Sequence, residues 1–237
     1  MSQGKTLSHD IAMSLRTDIL RQRYQSGDRL PSERDLAAKF GASRGAVREA
    51  MSQLEQLRLI KVQPGGARVQ AVETASIAIL GPMLTLDETP NAALVDQFLQ
   101  TFGALVSLTI REAIATANAE QHQRMQTAMA EIRKYQGDFT GAESKGKWFG
   151  FLEYLATVAN NLVVQLIGND LKAQFVGNML NADVRPMINK TTTNSIMNRL
   201  DKAIKASDKD LASMIMTEYF DELRLASSQA MQSRQAG

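Results

Sequence analysis

Two arginines spaced four residues apart, Arg44 and Arg48, are the side chains whose type and spacing most directly indicate chemistry. Residues four apart share one face of a helix. A guanidinium carries a planar fork of donors that fits phosphate oxygens and guanine edges. Between them, Gly45 and Ala46 have little side chain and permit close approach of the backbone. The pattern favours nucleic-acid recognition, and the alternative is an ordinary solvated helix face.

The apolar residues around these arginines recur at helical spacing and predict three helices. The first covers residues 7–25, the second begins at the turn 30–32, and the third runs from Arg44 to about residue 57. Ser32 and Ser43 stand where an N-cap accepts the free N–H groups of a helix, with Asp35 as a weak capping-box partner of Ser32. The core stripe of the third helix leaves its arginines on the opposite face.

A β-hairpin is predicted directly after the third helix. Two alternating runs, residues 59–63 and 67–72, flank the turn Pro64-Gly65-Gly66. Three helices followed by a hairpin form a winged helix-turn-helix, in which the second helix of the pair enters the major groove. The third helix is therefore expected to contact bases, Arg34 to contact the phosphate backbone, and the tip at Gly65 and Gly66 to lie in the minor groove, with Arg68 behind it.

The charge distribution agrees with this prediction. Residues 1–72 hold 12 Lys and Arg against 7 Asp and Glu, and nine of those 12 cations are arginine. The remaining residues hold 15 cations against 18 anions, so the overall charge of +2 averages a basic first third and a slightly acidic remainder. A basic segment of this kind is expected to meet a polyanion such as double-stranded DNA.

The first third also resembles a known family. Its segments Leu30-Pro31-Ser32-Glu33-Arg34-Asp35-Leu36-Ala37, Phe40-Gly41-Ala42-Ser43-Arg44 and Val47-Arg48-Glu49-Ala50 look like the N-terminal signature of GntR-family bacterial repressors, over about residues 6–72. The resemblance implies a homodimer that binds an operator and carries an effector-binding C-terminal domain. It places DNA contacts on Arg34, Ser43, Arg44, Arg48 and Gly65. Many members have a threonine-type residue where this chain has Gly45-Ala46, which leaves the operator sequence open.

The rest of the chain is predicted to be helical. Helices are expected over residues 91–116, 118–136, 138–161, 162–180, 186–206 and 208–232, with Asn118 and Asp208 as N-caps or first-turn residues. The predicted organisation is a DNA-binding domain over residues 1–76, a linker with a possible short helix over 77–90, and an effector-binding and dimerisation domain over 91–237. The fold class is mainly α, a winged helix-turn-helix followed by a bundle of six to seven helices.

Two stretches of this second part resemble the FadR branch of the same family, residues 148–162 and 200–212. Most relatives with such a domain hold a divalent metal with one Asp and three His. Those roles fall here on Lys147, Phe151, Met197 and Tyr219, which do not form a metal-binding set. No metal or other cofactor is therefore expected. An arginine that often anchors acidic effectors in this branch falls on Phe102.

The effector predicted from this comparison is apolar, a fatty acyl thioester or a fatty acid. Its predicted lining consists of Phe102, Trp148, Phe151, Tyr154, Met197 and Tyr219. The same six residues would equally serve as plain core. The alternative effector is a small organic acid held by Arg111 or Arg185, with Arg224 as another possible contact for an anionic head group. His122 lies in a polar stretch and is expected at the surface.

Other classes of protein fit the sequence less well. The absence of cysteine excludes thiol nucleophiles and disulfides, and two histidines leave little material for a histidine-centred site. No catalytic constellation is visible, so an enzyme is not expected. With no signal segment and no membrane partner expected, a cytoplasmic protein is predicted. A ligand-insensitive architectural DNA-binding protein is the alternative of another class.

Overall fold

The computed structural model of the protein describes residues 7–87, 90–181 and 188–235. These residues belong to two compact units that divide at residue 88. The described part of the chain is mostly helical, with one two-stranded hairpin, so the predicted fold class is confirmed.

The first unit is a winged helix-turn-helix with a short helical extension. Its elements are α1 (Leu7–Leu20), α2 (Glu33–Phe40), α3 (Arg44–Gln56), β1 (Ile60–Gln63), β2 (Gly66–Val69) and α4 (Leu80–Leu84), with 3-10 turns at Val72–Thr74 and Ile77–Ile79. The first helix is shorter than the predicted 7–25, because the chain turns after Leu20 and Gln22 adopts a left-handed φ of 56°.

Local capping defines both helices of the helix-turn-helix. Ser32 precedes α2 and its hydroxyl accepts from the backbone N–H of Asp35, while Ser43 precedes α3 and accepts from Ala46. Between them, Gly41 takes a φ of 59°, a left-handed value that glycine adopts without a steric penalty, and ends α2. The turn between the two helices therefore follows from its own residues.

The core of this unit is apolar and fully enclosed. Its buried side chains come from all three helices and the hairpin, among them Leu15, Leu36, Leu54 and Ile60. Ile79 also belongs to this core. The segment predicted as a linker over residues 77–90 therefore begins inside the first unit, because its apolar side chain packs there.

The second unit is a bundle of six described helices. They are α5 (Ala92–Thr116), α6 (Ala119–Arg133), α7 (Ala142–Ala159), α8 (Leu162–Asn181), α9 (Lys190–Lys205) and α10 (Lys209–Gln235), close to the predicted ranges. Asn118 and Gln121 form a complete capping box at the start of α6. Asp208 accepts from the N–H of Leu211 at the start of α10, so both predicted caps are confirmed.

Helix α5 is the central helix of this bundle. By length and composition alone it could cross a membrane, with a mean hydropathy of 1.3 over its most apolar window. However, a continuous set of its side chains, including Val95, Leu99 and Ile110, is buried against α7 and α10. Gly103 allows the closest approach, since a Cβ there would lie 2.6 Å from the Cβ of Phe220. The apolar character of α5 is thus explained by its place in a helical core.

Candidate nucleic-acid interface and effector region

Helix α3 presents Arg44 and Arg48 on its exposed face. Its opposite face buries Val47, Ala50, Met51 and Leu54 in the core of the unit. Both arginines are exposed, and in the described part of the chain no carboxylate forms an ion pair with Arg44. The core packing of α3 therefore fixes which way its cationic face points.

An ion pair links the two helices of the helix-turn-helix across their outer surface. The Nε of Arg48 donates to Oε2 of Glu33 at 2.8 Å, and 70% of the arginine side chain remains exposed. Exposed pairs of this kind contribute about 0–1 kcal/mol. The carboxylate holds Arg48 over the face of α3, and a competing anion would displace Glu33 at little cost.

Arg34 lies in the first turn of α2, close to the N-terminus of that helix. Its Nε is 3.5 Å from Asp35, and both side chains are largely exposed. The hydroxyl of Ser32 donates to Asp35 at 2.6 Å. This hydrogen bond, aided by the charge of Arg34, holds the pKa of the Asp35 carboxyl below its usual value. The guanidinium of Arg34 is accessible to a phosphate.

The small residues between the arginines have different environments. Gly45 is exposed, and a Cβ there would meet only the Oγ of Ser43, at 3.7 Å. The fold therefore does not require glycine at this position. Ala46 is half-buried and its methyl group packs against the core, so the predicted close approach of its backbone to DNA stays a prediction.

The wing tip is a tight turn built on two glycines. Pro64 and Gly65 occupy its centre, and Gln63 pairs with Gly66 in the hairpin register. Gly65 and Gly66 have φ values of 96° and 121°, which strongly favour glycine. Gly65 is exposed, and a Cβ added there would meet nothing within 4 Å. The tip is therefore bare backbone, narrow enough for the predicted contact with a DNA minor groove.

A third segment extends the hairpin into a small sheet, which the sequence did not predict. The backbone N–H of Leu30 donates to the carbonyl of Ala67 at 3.0 Å, and the N–H of Val69 donates to the backbone carbonyl of Asp28 at 2.9 Å. Between them, Arg29 forms an antiparallel backbone β-bridge with Arg68. We call residues 28–30 with β1 and β2 the wing sheet. The pairing joins residues about 40 apart, so no local signal identified it.

Four of the predicted effector contacts lie in the core of the helical unit. Trp148, Phe151, Met197 and Tyr219 are all buried. The ring centroid of Trp148 is 5.9 Å from that of Phe151 and 5.3 Å from that of Tyr219. Burial raises the pKa of the Tyr219 hydroxyl to about 12. These side chains are enclosed by other protein atoms, and their contact with an effector stays a prediction.

The other two predicted aromatic contacts lie apart from each other. Phe102 lines an open groove between α5, α7 and α8, together with Phe149, Leu152 and Val164. The hydroxyl of Tyr154 instead donates to the carbonyl of Gln121 on α6. Of the six predicted lining residues, Phe102 lines this groove and the other five do not. The further groove residues Leu105, Ala156 and Gly168 were missed, because small and aliphatic residues carry no local signal for a groove.

The candidate anion-binding arginines are engaged elsewhere. Arg111 is exposed and pairs with Asp210 at 2.8 Å. Arg224 holds both carboxylate oxygens of Asp96, at 2.8 and 2.9 Å. Arg185 lies outside the described residues.

Two further residues singled out in the sequence lie at or near the surface. Lys147, at one of the four positions where relatives hold a metal, is exposed. His122 is half-buried rather than fully exposed, with its Nε2 3.4 Å from the Oγ of Ser207. Within residues 7–87, 90–181 and 188–235, no group of three His, Asp or Glu side chains is arranged to hold a metal ion.

Known proteins resemble both units to different extents. Residues 7–69 match the family model described as bacterial regulatory proteins, gntR family. The HTH-type transcriptional regulator YieP of Escherichia coli K12 is 31% identical over 142 residues, which cover 59% of this chain and 61% of that protein. The fatty acid metabolism regulator protein of Erwinia tasmaniensis is 30% identical over 112 residues, covering 46% of this chain and 47% of that protein.

A solved structure extends the likeness to the whole chain at the level of fold. The Listeria monocytogenes protein Lar, described as controlling expression of the agr system, is 18% identical with a TM-score of 0.57, covering 96% of this chain and 99% of that one. The chain spans between 21% and 61% of the length of the first curated relatives that it matches. The match over residues 7–69 makes α1 to α3 and the wing similar to the bacterial regulatory proteins of the gntR family.

Proposed function

We propose that this protein is a cytoplasmic, non-catalytic transcriptional regulator that binds an operator as a homodimer and responds to an apolar effector. The observation that carries the proposal is the capped helix α3, whose exposed face holds Arg44 and Arg48 while its other face is locked in the core. Helices of this motif enter the major groove, where arginine pairs with guanine or phosphate. The curated relatives that match the chain are named as regulators.

For the effector, we propose a fatty acyl thioester or a fatty acid. The groove lined by Phe102, Phe149, Leu152 and Val164 is mainly apolar, which suits an acyl chain. Lys172 stands at the same groove and pairs with Glu153, so an acidic head group would have to displace that carboxylate in order to bind the lysine. A relative named as a fatty acid metabolism regulator supports the same class of effector.

Regulation then follows from linkage between two binding events. An effector changes DNA affinity only if it binds the DNA-competent and DNA-incompetent arrangements of the dimer with different affinity. Recognition helices of a dimer read half-sites about one helical turn, roughly 34 Å, apart. We propose that the effector alters the spacing of the two α3 helices and leaves the residues that contact DNA unchanged.

The DNA-binding part of the proposal is tested by removing the two arginines of α3. DNA fragments retained by the purified protein from its own genome provide the operator. We expect Arg44→Ala combined with Arg48→Ala to lower operator affinity by about 100-fold or more, because each well-placed pair contributes about 1–3 kcal/mol of discrimination. Arg199→Ala is the control, since Arg199 is a surface arginine of α9 that pairs with Glu218. Undiminished specific binding by the double variant would refute the assignment of α3.

The effector is tested by thermal shift with matched ligands. A ligand present at 100 times its Kd adds about 2.7 kcal/mol of stability to the folded state, which is readily measured. We expect stabilisation by long-chain acyl thioesters, weakened by Phe102→Asp, and none by small organic acids. The reverse ranking would favour the organic-acid effector. If the protein binds its operator and no tested ligand alters that binding, the alternative of a ligand-insensitive architectural DNA-binding protein would be favoured.

A further inference from the structure

Three cations form a row across the outer face of the wing sheet. Lys61 on β1 stands directly opposite Arg68 on β2, and a backbone β-bridge pairs Arg68 with Arg29 on the third segment. All three side chains belong to exposed residues. Neighbouring strands lie about 4.8 Å apart, so the row spans about 10 Å. We call Arg29, Lys61 and Arg68 the wing row.

The row follows from strand alternation, because the other face of the sheet is committed to the core. Ile60, Ala67, Val69 and Leu30 are buried on the inner face. Successive residues of a strand point to opposite faces. Each of the three segments therefore presents its cation outward at the same level of the sheet.

The wing row is unfavourable for the folded unit by itself. Like charges directly opposite each other on neighbouring strands destabilise a sheet. In the described part of the chain, no carboxylate forms an ion pair with any of the three, and Arg68 donates to the backbone carbonyl of Gly27 at 2.9 Å. The guanidinium of Arg29 lies over Gly66, where a Cβ would be 2.8 Å from its Nε. Three mutually repelling cations without a neutralising carboxylate fit an external polyanion.

We infer that the wing row binds phosphates of the DNA that flanks the sequence read by α3. This inference rests on the proposed function and adds a second contact surface to it. Phosphates on one strand of a duplex repeat every 3.4 Å along the helix axis, so a row of about 10 Å covers about three of them. The row is also continuous with the wing tip, because Lys61 and Arg68 lie two residues from the tip pair Gln63 and Gly66.

Contacts to phosphates of this kind fix the position of the protein and carry no direct sequence information. The wing row should therefore extend the footprint beyond the bases that α3 reads. Its contribution to affinity should depend on salt and on the length of the flanking duplex, and should not depend on the flanking sequence.

The experiment compares two duplexes and two variants. One duplex ends at the outer edge of the operator, and the other extends it by about ten base pairs on each side. Arg29→Gln combined with Lys61→Gln removes two cations and leaves Arg68 on its backbone partner. Lys61→Arg, which keeps the charge, is the matched control. Arg23→Gln is the second control, because it removes a cation of the same unit that pairs with Asp18.

On the long duplex, the dimer of the double variant lacks four of the proposed phosphate contacts, two in each protomer. We expect the salt slope of log K to fall by about 3.6, about 0.9 for each phosphate that is no longer neutralised, and binding to weaken by roughly tenfold or more at moderate salt. On the short duplex we expect little change, and the Tm of the free protein should not fall. Both controls should bind like the unsubstituted protein. These results together would support the inference.

Equal weakening on both duplexes, an unaltered salt slope, or weaker binding by Lys61→Arg would each overturn the inference. Such outcomes would leave the proposed function intact, provided that the Arg44→Ala and Arg48→Ala variant still fails to bind either duplex. If the unsubstituted protein binds no specific sequence at all, the proposed function itself fails.

Discussion

The two units differ in how many of their exposed arginines are paired with carboxylates. In the helical unit, Arg111, Arg133, Arg199 and Arg224 each pair with a carboxylate. Arg124 lies over the ring of Tyr154, 4.7 Å from its centroid. In the winged unit, by contrast, no carboxylate among the described residues pairs with the exposed arginines of the wing or with the first arginine of α3.

This difference separates charges that serve the fold from charges that await a partner. An arginine that is paired on the surface of a helical bundle must release its carboxylate before it can bind another anion. An unpaired one keeps its full attraction for an anion. Four arginines of the winged unit also pair with carboxylates, so the contrast lies with the unpaired arginines of the wing and with Arg44. These unpaired cations support the proposal that the winged unit binds a polyanion.

The largest expected effect tests whether the aromatic core belongs to the helical unit alone. Phe151→Ala should lower the stability of that unit by about 3–5 kcal/mol, because it removes a buried ring from close packing. The single tryptophan of the chain, Trp148, lies beside Phe151 and reports the unfolding of this unit by fluorescence in urea. Leu54→Ala in the first core is the counterpart. It should lower the stability of the first unit, measured as the loss of helical circular dichroism in urea, and leave the unfolding transition of Trp148 fluorescence unchanged. If both variants shifted both signals, the two cores would not unfold separately.

A smaller effect sharpens the role of close helix packing in the second unit. Gly103→Ala should destabilise the protein by about 1–3 kcal/mol, because the new Cβ would overlap Phe220. Gly150→Ala is the matched control, since a Cβ at Gly150 meets nothing within 4 Å. There, the higher helix propensity of alanine should raise stability by up to about 1 kcal/mol. Thermal melts that rank the two variants in the opposite order would refute this packing of α5 on α10.

The smallest effect concerns a neutralised arginine of the helical unit. The hydrogen bonds from Arg224 hold the pKa of the Asp96 carboxyl below its usual value near 3.9. A depressed pKa stabilises the fold above that usual value, and this stability is lost as the pH falls through the folded pKa. Arg224→Gln should therefore cost about 0.2–1 kcal/mol at pH 7 and less near pH 3, as measured by urea titration.

Arg124→Gln provides the comparison for that titration. Its cation lies over an aromatic ring and not beside a carboxylate, so any loss of stability should be the same at both pH values. A pH-dependent loss for Arg124→Gln, or a pH-independent one for Arg224→Gln, would be inconsistent with these pairings.

The sequence predicted the elements whose signals are local. Ser32 and Ser43 cap the helices that they were expected to begin, because a cap depends on residues two or three positions away. The hairpin of the wing sheet was predicted from its turn, but the third segment was not, since it is short and pairs with residues about 40 positions later. The effector region stays a prediction. Trp148 and Phe151 are of a type that suits both a core and a pocket, and only the packing of whole helices distinguishes the two.

The third segment of the wing sheet has a consequence for the thermodynamics of binding. Its hydrogen bonds to Ala67 and Val69 tie the base of the hairpin to the segment before α2, so only the turn around Gly65 projects without support. Ordering a flexible loop on binding costs conformational entropy, and a hairpin that is already ordered avoids most of that cost. The wing should therefore engage DNA with a small entropic penalty, and loosening its base should weaken binding even where every contacting residue is retained.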